Sequence, residues 1–182
     1  YNPSGNFVEL SFFNLDKKDI NFKTDRLASV ASYKEKGHTI YLIKPTTFMN
    51  LSGKAVNHWL NFYKIEKENM LVLVDDLAIP FDTLRLKPKG SSGGHNGLKS
   101  IEGVLGGTEY PRLRMGIGSD FAKGRQADYV LSNFSEAELE TIPFILDKTA
   151  EIIETFCVEG LTKTMNKYNQ WLHFLKNLWI FP

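Results

Sequence analysis

Hydrophobic residues along the chain alternate between strand-like and helix-like spacings. Compact apolar runs at 39–43 and 70–74 predict two strands, and the second is expected to be buried on both faces because no polar residue interrupts it. Leu84 and Leu86 alternate with polar neighbours, which predicts a half-exposed strand. A similar alternation of apolar residues at 113–117 predicts a further strand.

Helical spacing predicts helices in three regions between and after these strands. Ser52 is placed to cap the first helix, and Ser135 and Glu138 form a capping box that opens the C-terminal helical region. Pro143 is expected to split that region or to start a second helix at its first turn. The predicted apolar stripes are Val56, Trp59, Leu60 and Tyr63; Leu98, Ile101 and Leu105; and Ile145, Ile152, Ile153 and Phe156.

From residue 39 onward the order β-α-β-β-α-β-α predicts a single three-layer α/β domain, with a mixed central sheet flanked by helices, over residues 1–182. A length of 182 residues, with 42% hydrophobic and 24% charged residues, suits one soluble domain. Residues 6–15 fit a short helix or a strand equally well. We find no signal peptide, and the apolar tail at 170–182 is too short to span a bilayer. The tail is expected to pack on the domain, a partner or a membrane surface, or else to be an exposed apolar segment that favours aggregation.

The distribution of charge and the cysteine content indicate the kind of ligand and the cellular compartment. The net charge is only +1, but residues 85–125 hold eight basic and three acidic residues, an excess of five positive charges. This cluster predicts a polyanion docked at one site, and the alternative is a solvated surface without a ligand. The single cysteine, Cys157, excludes an intrachain disulfide and lies in an apolar helical run. We therefore expect a buried, reduced thiol and a cytoplasmic protein.

The segment 87–97 carries the most specific local pattern. Basic residues lead into a Gly/Ser loop that enters the second predicted helix, and His95 and Asn96 add directional polar groups. A helix N-terminus has unpaired N–H groups and a partial positive charge, and glycines allow close backbone approach. The pattern predicts a site that faces phosphate or carboxylate, whereas the alternative is an ordinary flexible loop.

Polar clusters also follow the predicted strands, at residues 48–50, 75–76 and 95–96. Ligands of open α/β sheets collect beyond the carboxyl ends of strands. A carboxylate at the end of an apolar strand needs a partner, and orienting a histidine is a common use. Taken alone, each cluster also has a purely structural interpretation: Asn50 as a turn residue, Asp75 as a turn or cap residue, and His95 as a surface histidine. Together they predict that Asn50, Asp75 and Asn96 converge on one cleft.

Four segments resemble the signature segments of the bacterial peptidyl-tRNA hydrolase family, in the same order and spacing, over about residues 2–169. They are KPTTFMNLSG at 44–53, VDDLAIP at 74–80, GGHNGLK at 93–99 and RLRMGIG at 112–118. The resemblance implies a monomeric cytoplasmic α/β enzyme that cleaves the ester between a peptide and the 3′ ribose of tRNA. It also implies that the enzyme uses neither metal nor cofactor.

The same resemblance implies roles for residues at the matched positions. Asn50, Asp75 and Asn96 would form the catalytic group, with Asp75 orienting and polarising the base. The substrate- and tRNA-binding set would be Phe48 and Met49 lining the cleft, Asn50 and Asn96 holding the peptide and terminal nucleotide, His95 beside Asn96, and Arg85, Lys87 and Arg114 clamping phosphate.

The start of the sequence departs from the family pattern. The family opens with a strand, a Gly-Leu-Gly-Asn loop and a Thr-Arg-His-Asn segment whose histidine activates water. On the register set by Asn50, Asn2 matches the asparagine after that histidine, residues 7–10 resemble the first helix, and Tyr1 stands at the histidine position. His38 matches no family motif. General-base catalysis contributes about 10² to 10⁴ in rate, so we expect a weak or inactive hydrolase that still binds substrate.

Two other functions remain open at this stage. The first is a non-catalytic tRNA- or RNA-binding module on the same scaffold, which needs only the basic rim and the asparagines. The second is a nucleotide-binding α/β protein, which the lack of a Walker-type Gly-Lys-Ser/Thr pattern disfavours. The group that faces Asp75 distinguishes an enzyme from a binding module.

Overall fold

A computed structural model describes residues 20–169. The expectations for residues 1–19 and for the apolar tail lie outside this range. The strands are β1 (Lys23–Asp25), β2 (Ala28–Glu35), β3 (His38–Pro45), β4 (Val72–Asp76), β5 (Leu84–Lys87) and β6 (Arg112–Gly116). The helices are α1 (Ser52–Tyr63), α2 (Asn96–Leu105), α3 (Gln126–Val130), α4 (Glu136–Glu159) and α5 (Leu161–Tyr168), with 3-10 turns at Met49–Leu51 and Lys67–Asn69.

Within residues 20–169 the strands form two three-stranded sheets, which confirms the α/β class and the mixed sheet; in this range the expected central sheet is divided in two. One sheet is antiparallel in the order β1-β2-β3, and the other has the order β4-β6-β5. In the second sheet β4 runs parallel to β6 and β5 runs antiparallel to it. Within residues 20–169 no ladder joins β3 to β4.

Helices cover both faces of the two sheets and give the three predicted layers. On one face, Val74 of β4 packs with Leu98 and Ile101 of α2, and Val56 of α1 joins this cluster. On the other face, the strand residues Leu84, Leu86, Leu113 and Met115 pack against α4 and α5 through Ile142, Ile145, Leu146, Ile152 and Tyr168. A third cluster joins β2 and β3 to Ala150 and Cys157 of α4.

The β2–β3 hairpin was not predicted, apart from the 39–43 run within β3. Its first strand, ASVASYKE, is poor in large apolar residues, so the alternation of buried and exposed positions is weak in the sequence. Lys36 and Gly37 at the turn both have positive φ, 45° and 84°. Such a pair suits the two-residue turn of a tight hairpin, and the glycine after Lys36 is the signal that sequence analysis passed over.

Three local expectations are corrected. Pro143 lies inside the continuous 24-residue helix α4, at an exposed position where solvent reaches the backbone that its missing N–H leaves unpaired. Ser52 is the first residue of α1 rather than its cap, and its hydroxyl donates to the Met49 carbonyl at 2.8 Å. In β4 only Val74 is fully buried, because the strand borders a cavity.

Candidate functional site

His95 links the end of β4 to the start of α2. Its Nε2 lies 3.2 Å from Oδ1 of Asp75, and both side chains are mostly buried, with 19% and 13% of their surfaces exposed. Its Nδ1 accepts hydrogen bonds from the backbone N–H groups of Gly97 and Leu98, at 3.1 and 3.3 Å. His95 is thus the N-cap of α2. The two polar clusters around residues 75 and 95 meet in this contact.

This geometry favours one tautomer of the His95 ring. Two N–H groups point at Nδ1, so Nδ1 carries no proton and the neutral imidazole holds its proton on Nε2. Nε2–H then donates to the Asp75 carboxylate. Both ring nitrogens are engaged, so in this arrangement His95 has no lone pair available to accept a proton from water.

The capped helix corrects one expectation for the Gly/Ser loop. The sequence suggests that free N–H groups at the start of α2 face an anion. In the structure the N–H groups of Gly97 and Leu98 are already bonded to His95. Lys99 N–H continues the helix by donating to the His95 carbonyl at 3.0 Å. These donors are therefore not available to a phosphate unless the histidine ring moves.

Two glycines allow the segment 48–50 and the start of α1 to lie close against α2. Gly97 lies so close to Met49 that an added Cβ would be 2.5 Å from its sulfur. Gly53 of α1 lies against the Ser100 backbone of α2, and its N–H donates to Ser100 Oγ at 3.0 Å. These close approaches place the turn that carries Asn50 beside the helix end that carries Asn96.

The residues expected to bind substrate differ in how exposed they are. Asn50 and Asn96 are both exposed, and Phe48 is 78% exposed. Met49 and His95 are half-buried beneath them. The mostly buried His95–Asp75 pair thus lies below the surface of the candidate site, and amide and aromatic side chains are exposed above it.

A basic face lies on the β5–β6 ladder. Arg85 is directly opposite Arg114, and Lys87 is opposite Arg112, so all four residues share one side of the sheet. Leu84 and Leu86 point to the other side, into the core with α4. Like charges directly opposite one another destabilise a sheet unless they are partnered.

The four basic residues have different environments. Arg114 donates to Asp76 at 2.6 Å, and Arg112 is buried at 2% exposure, 3.7 Å from Glu102. Arg85 and Lys87 are exposed, and no acidic side chain of residues 20–169 pairs with either. The expectation of an accessible basic cluster is therefore corrected at Arg112, which is a core residue.

A cavity of about 290 Å³ opens beside the site, between β3 and β4. Its walls are mainly apolar and aromatic, and include Tyr41, Trp59 and Phe156. Met49 and His95 contribute to its lining, whereas Asn50, Asp75 and Asn96 do not. The cavity therefore meets the polar site only through the buried members of the cluster.

The remaining features to consider are the cysteine thiol, clusters that could bind a metal ion, and helices that could span a membrane. Burial raises the pKa of the Cys157 thiol to about 11, with a smaller contribution from Glu154, so this cysteine is a protonated thiol at neutral pH. Among residues 20–169 no group of three or more His, Cys, Asp and Glu side chains is placed to hold a metal ion. No helix in the described part of the chain is long and apolar enough to cross a membrane.

Sequence analysis missed the residues that hold the site together. Gly53 and Ser100 form the close contact between α1 and α2, and Arg112 anchors the Gly/Ser loop through its guanidinium. A glycine one residue after a predicted helix start is a weak signal of close packing. No pattern in the sequence distinguishes the buried Arg112 from the exposed Arg85, because both alternate with leucines in their strands.

The fold and the site together define an α/β protein with a buried histidine–aspartate contact, exposed amide side chains near it and a basic sheet face. Comparison with known proteins identifies the family. The sequence model described as Peptidyl-tRNA hydrolase matches residues 7–176. The chain therefore belongs to the peptidyl-tRNA hydrolase family.

Individual relatives agree with this assignment. A peptidyl-tRNA hydrolase of Parabacteroides distasonis is 54% identical over 149 residues, which cover 82% of this chain and 80% of the relative. One of Porphyromonas gingivalis is 47% identical over 171 residues, covering 93% and 92%. The crystal structure of peptidyl-tRNA hydrolase from Acinetobacter baumannii has a TM-score of 0.79 and 31% identity, and covers 88% of this chain and 81% of that one.

Proposed function

We propose that this protein hydrolyses the ester bond between peptide and tRNA in peptidyl-tRNA, and so recycles tRNA from stalled translation. The observation that carries the proposal is the contact of His95 with Asp75 beside Met49, in a chain of this family. The adjacent basic face supports a polyanionic substrate. We propose further that residues 1–182 form one domain and act as a monomer in the cytoplasm, where translation takes place.

Asp75 is the residue that we propose to orient the general base. Its Oδ1 accepts a hydrogen bond from Nε2–H of His95, and Oδ2 has no hydrogen-bond partner among residues 20–169. Oδ2 is thus available to hold a second imidazole in the tautomer that accepts a proton from water. The water oxygen then attacks the ester carbonyl carbon, the bond to the ribose 3′ oxygen breaks, and the proton passes to that oxygen.

We propose that the amides of Asn50 and Asn96 hold the peptide and the terminal nucleotide during this step. Both side chains are exposed on segments that the Met49–Gly97 contact brings together. An amide offers one acceptor and two donors, which suits both a peptide backbone and a nucleotide edge. The exposed ring of Phe48 supplies an apolar surface at the same rim.

We propose that no histidine of residues 20–169 is the general base. His95 is engaged at both nitrogens, His38 is exposed at the start of β3, and His58 packs in the aromatic cluster of α1. On the family register Tyr1 stands at the position of the base. Residues 20–169 are therefore proposed to bind substrate and to orient the base rather than to supply it.

A hydrolysis assay tests the proposal. Release of free tRNA from a peptidyl-tRNA should be slow for a polypeptide of residues 1–182, and fast after the family's N-terminal segment, with its histidine, is placed before residue 2. Fast turnover by residues 1–182 alone would refute the assignment of the base. In that case His95→Ala should abolish the reaction, whereas we expect it mainly to weaken binding. Binding without turnover by both chains would favour the alternative of a tRNA-binding module.

Arg85, Lys87 and Arg114 are proposed to clamp tRNA phosphate. Lys87 is the cleanest probe because it has no acidic partner within residues 20–169, whereas Arg114 pairs with Asp76. Lys87→Glu should weaken tRNA binding and lower the log–log salt slope by roughly one. Lys34→Glu, an exposed site on β2, is the charge-matched control and should leave the slope unchanged. An equal effect of both variants would exclude a direct contact at Lys87.

A further inference from the structure

Arg112 is the only charged residue among residues 20–169 that is buried. Its guanidinium bridges three separate segments. Nη1 donates to the Ser91 carbonyl at 3.3 Å and lies 3.7 Å from Glu102, and Nη2 donates to the Thr108 carbonyl at 3.1 Å. The guanidinium carbon also lies 4.1 Å from the centre of the Tyr110 ring.

The bonds of Arg112 fix one end of the loop of residues 88–95. Gly90 N–H donates to the same Thr108 carbonyl at 3.4 Å, which holds the loop on the turn after α2. The next residue after Ser91 closes the loop, since the Ser92 carbonyl accepts from His95 N–H at 2.9 Å. A short, continuous path of bonds therefore leads from Arg112 to the cap of α2.

The burial of this charge is not explained by stability alone. Its Nε has no hydrogen-bond partner among the described residues, and neither does Oε1 of Glu102. A buried ion pair with incomplete hydrogen bonding is often no more stable than well-packed apolar residues of similar volume. What an apolar residue cannot do is hold two carbonyls of two different segments in one plane.

We propose that Arg112 is a positioning residue that fixes the 88–95 loop and thereby sets where His95 and Asn96 meet the substrate. The inference rests on the proposed function for its substrate, but the loop contacts are independent of it. Arg112 does not touch phosphate, because its side chain is buried beneath the loop. Its planar fork is essential, since the single ammonium of lysine is a point charge on a flexible stem.

The test compares Arg112→Lys and Arg112→Gln with Ile152→Ala. Ile152 lies on α4 and is buried against β5–β6, on the face of the sheet opposite Arg112, and it supplies a control for global destabilisation. Two quantities are measured in each variant: hydrogen exchange of the amides of residues 90–96, and the affinity for deacylated tRNA at fixed salt.

In both Arg112 variants we expect the loop amides to exchange at least about tenfold faster and tRNA affinity to fall by about fivefold or more. Ile152→Ala, compared at equal loss of Tm, should change neither quantity. Loop exchange that matches the Ile152 control would overturn the inference and leave Arg112 as a core residue. Faster loop exchange in a protein that does not bind tRNA would support the positioning role and refute the proposed function instead.

Discussion

Replacement of Gly53 by alanine tests whether α1 and α2 touch through their backbones. A Cβ at this position would lie 2.2 Å from the Ser100 carbonyl oxygen and 2.9 Å from a methyl group of Val104. Ordinary contact begins at 3.4 Å, so the helices would have to separate by about 1 Å. The hydrogen bond from Gly53 N–H to Ser100 Oγ, now 3.0 Å, would be lost or stretched.

The expected cost follows from these two terms. Overpacking costs about 1–3 kcal/mol, and a lost hydrogen bond about 1 kcal/mol. The higher helix propensity of alanine offsets up to about 1 kcal/mol of this. A net loss of about 1–3 kcal/mol should lower Tm by roughly 3–10 °C in a protein of this size. The clash is with backbone, so a second change of Val104→Ala should not restore stability.

Gly103→Ala is the matched control for this prediction. Gly103 is an exposed residue of α2 with nothing within 4 Å of an added Cβ. Here alanine should stabilise by about 0.5–1 kcal/mol, through helix propensity alone. Thermal unfolding followed by circular dichroism measures the change in Tm of each variant, and a urea titration checks that the m-value is unchanged. We expect Tm to fall for Gly53→Ala and to rise for Gly103→Ala. An equal rise in Tm for both variants would refute the close approach of the two helices.

Three further outcomes are expected. Burial raises the pKa of Cys157 to about 11, so the native protein should react with iodoacetamide at pH 8 about a hundredfold more slowly than the urea-unfolded protein. Mass spectrometry measures both rates, and equal rates would contradict the burial of this thiol. Ser135→Ala removes the acceptor of Glu138 N–H and should cost about 1 kcal/mol in urea unfolding, whereas no loss would show that the capping box is dispensable. Pro143→Ala restores the missing helical N–H, so it should raise the free energy of unfolding by about 1–3 kcal/mol and raise Tm with it. A fall in Tm would indicate that the helix needs the proline.

Hydrophobic spacing was sufficient to predict most of the fold. The runs at 39–43 and 70–74 and the stripe of Ile145, Ile152, Ile153 and Phe156 identified elements whose burial depends on large apolar side chains. Hydrophobic spacing does not predict β2, where small residues pack in the sheet. It also does not predict the helix through Pro143, which continues because its exposed face tolerates a missing hydrogen bond. In both cases tertiary packing overrides local preference.

The sequence indicated that Asp75 could meet a histidine, but it did not indicate the hydrogen bonds that His95 makes. The sequence placed Asp75 and His95 at the ends of neighbouring elements, and the structure brings them into contact. It did not indicate that His95 would cap its own helix, since that depends on the direction of the ring. Nor did it separate the buried Arg112 from accessible cations, because burial at one position of a strand depends on the helix packed above it.

The division of the strands into two sheets has a consequence for how the protein unfolds. Ala31, Tyr33, Ile40 and Leu42 form a hydrophobic cluster distinct from the one around Leu113. Because no ladder bond of residues 20–169 crosses from β3 to β4, the hairpin can open without breaking a bond of the other sheet. Native-state exchange in low denaturant should therefore resolve two cooperative units, with the hairpin amides released at a lower free energy than those of β4–β6.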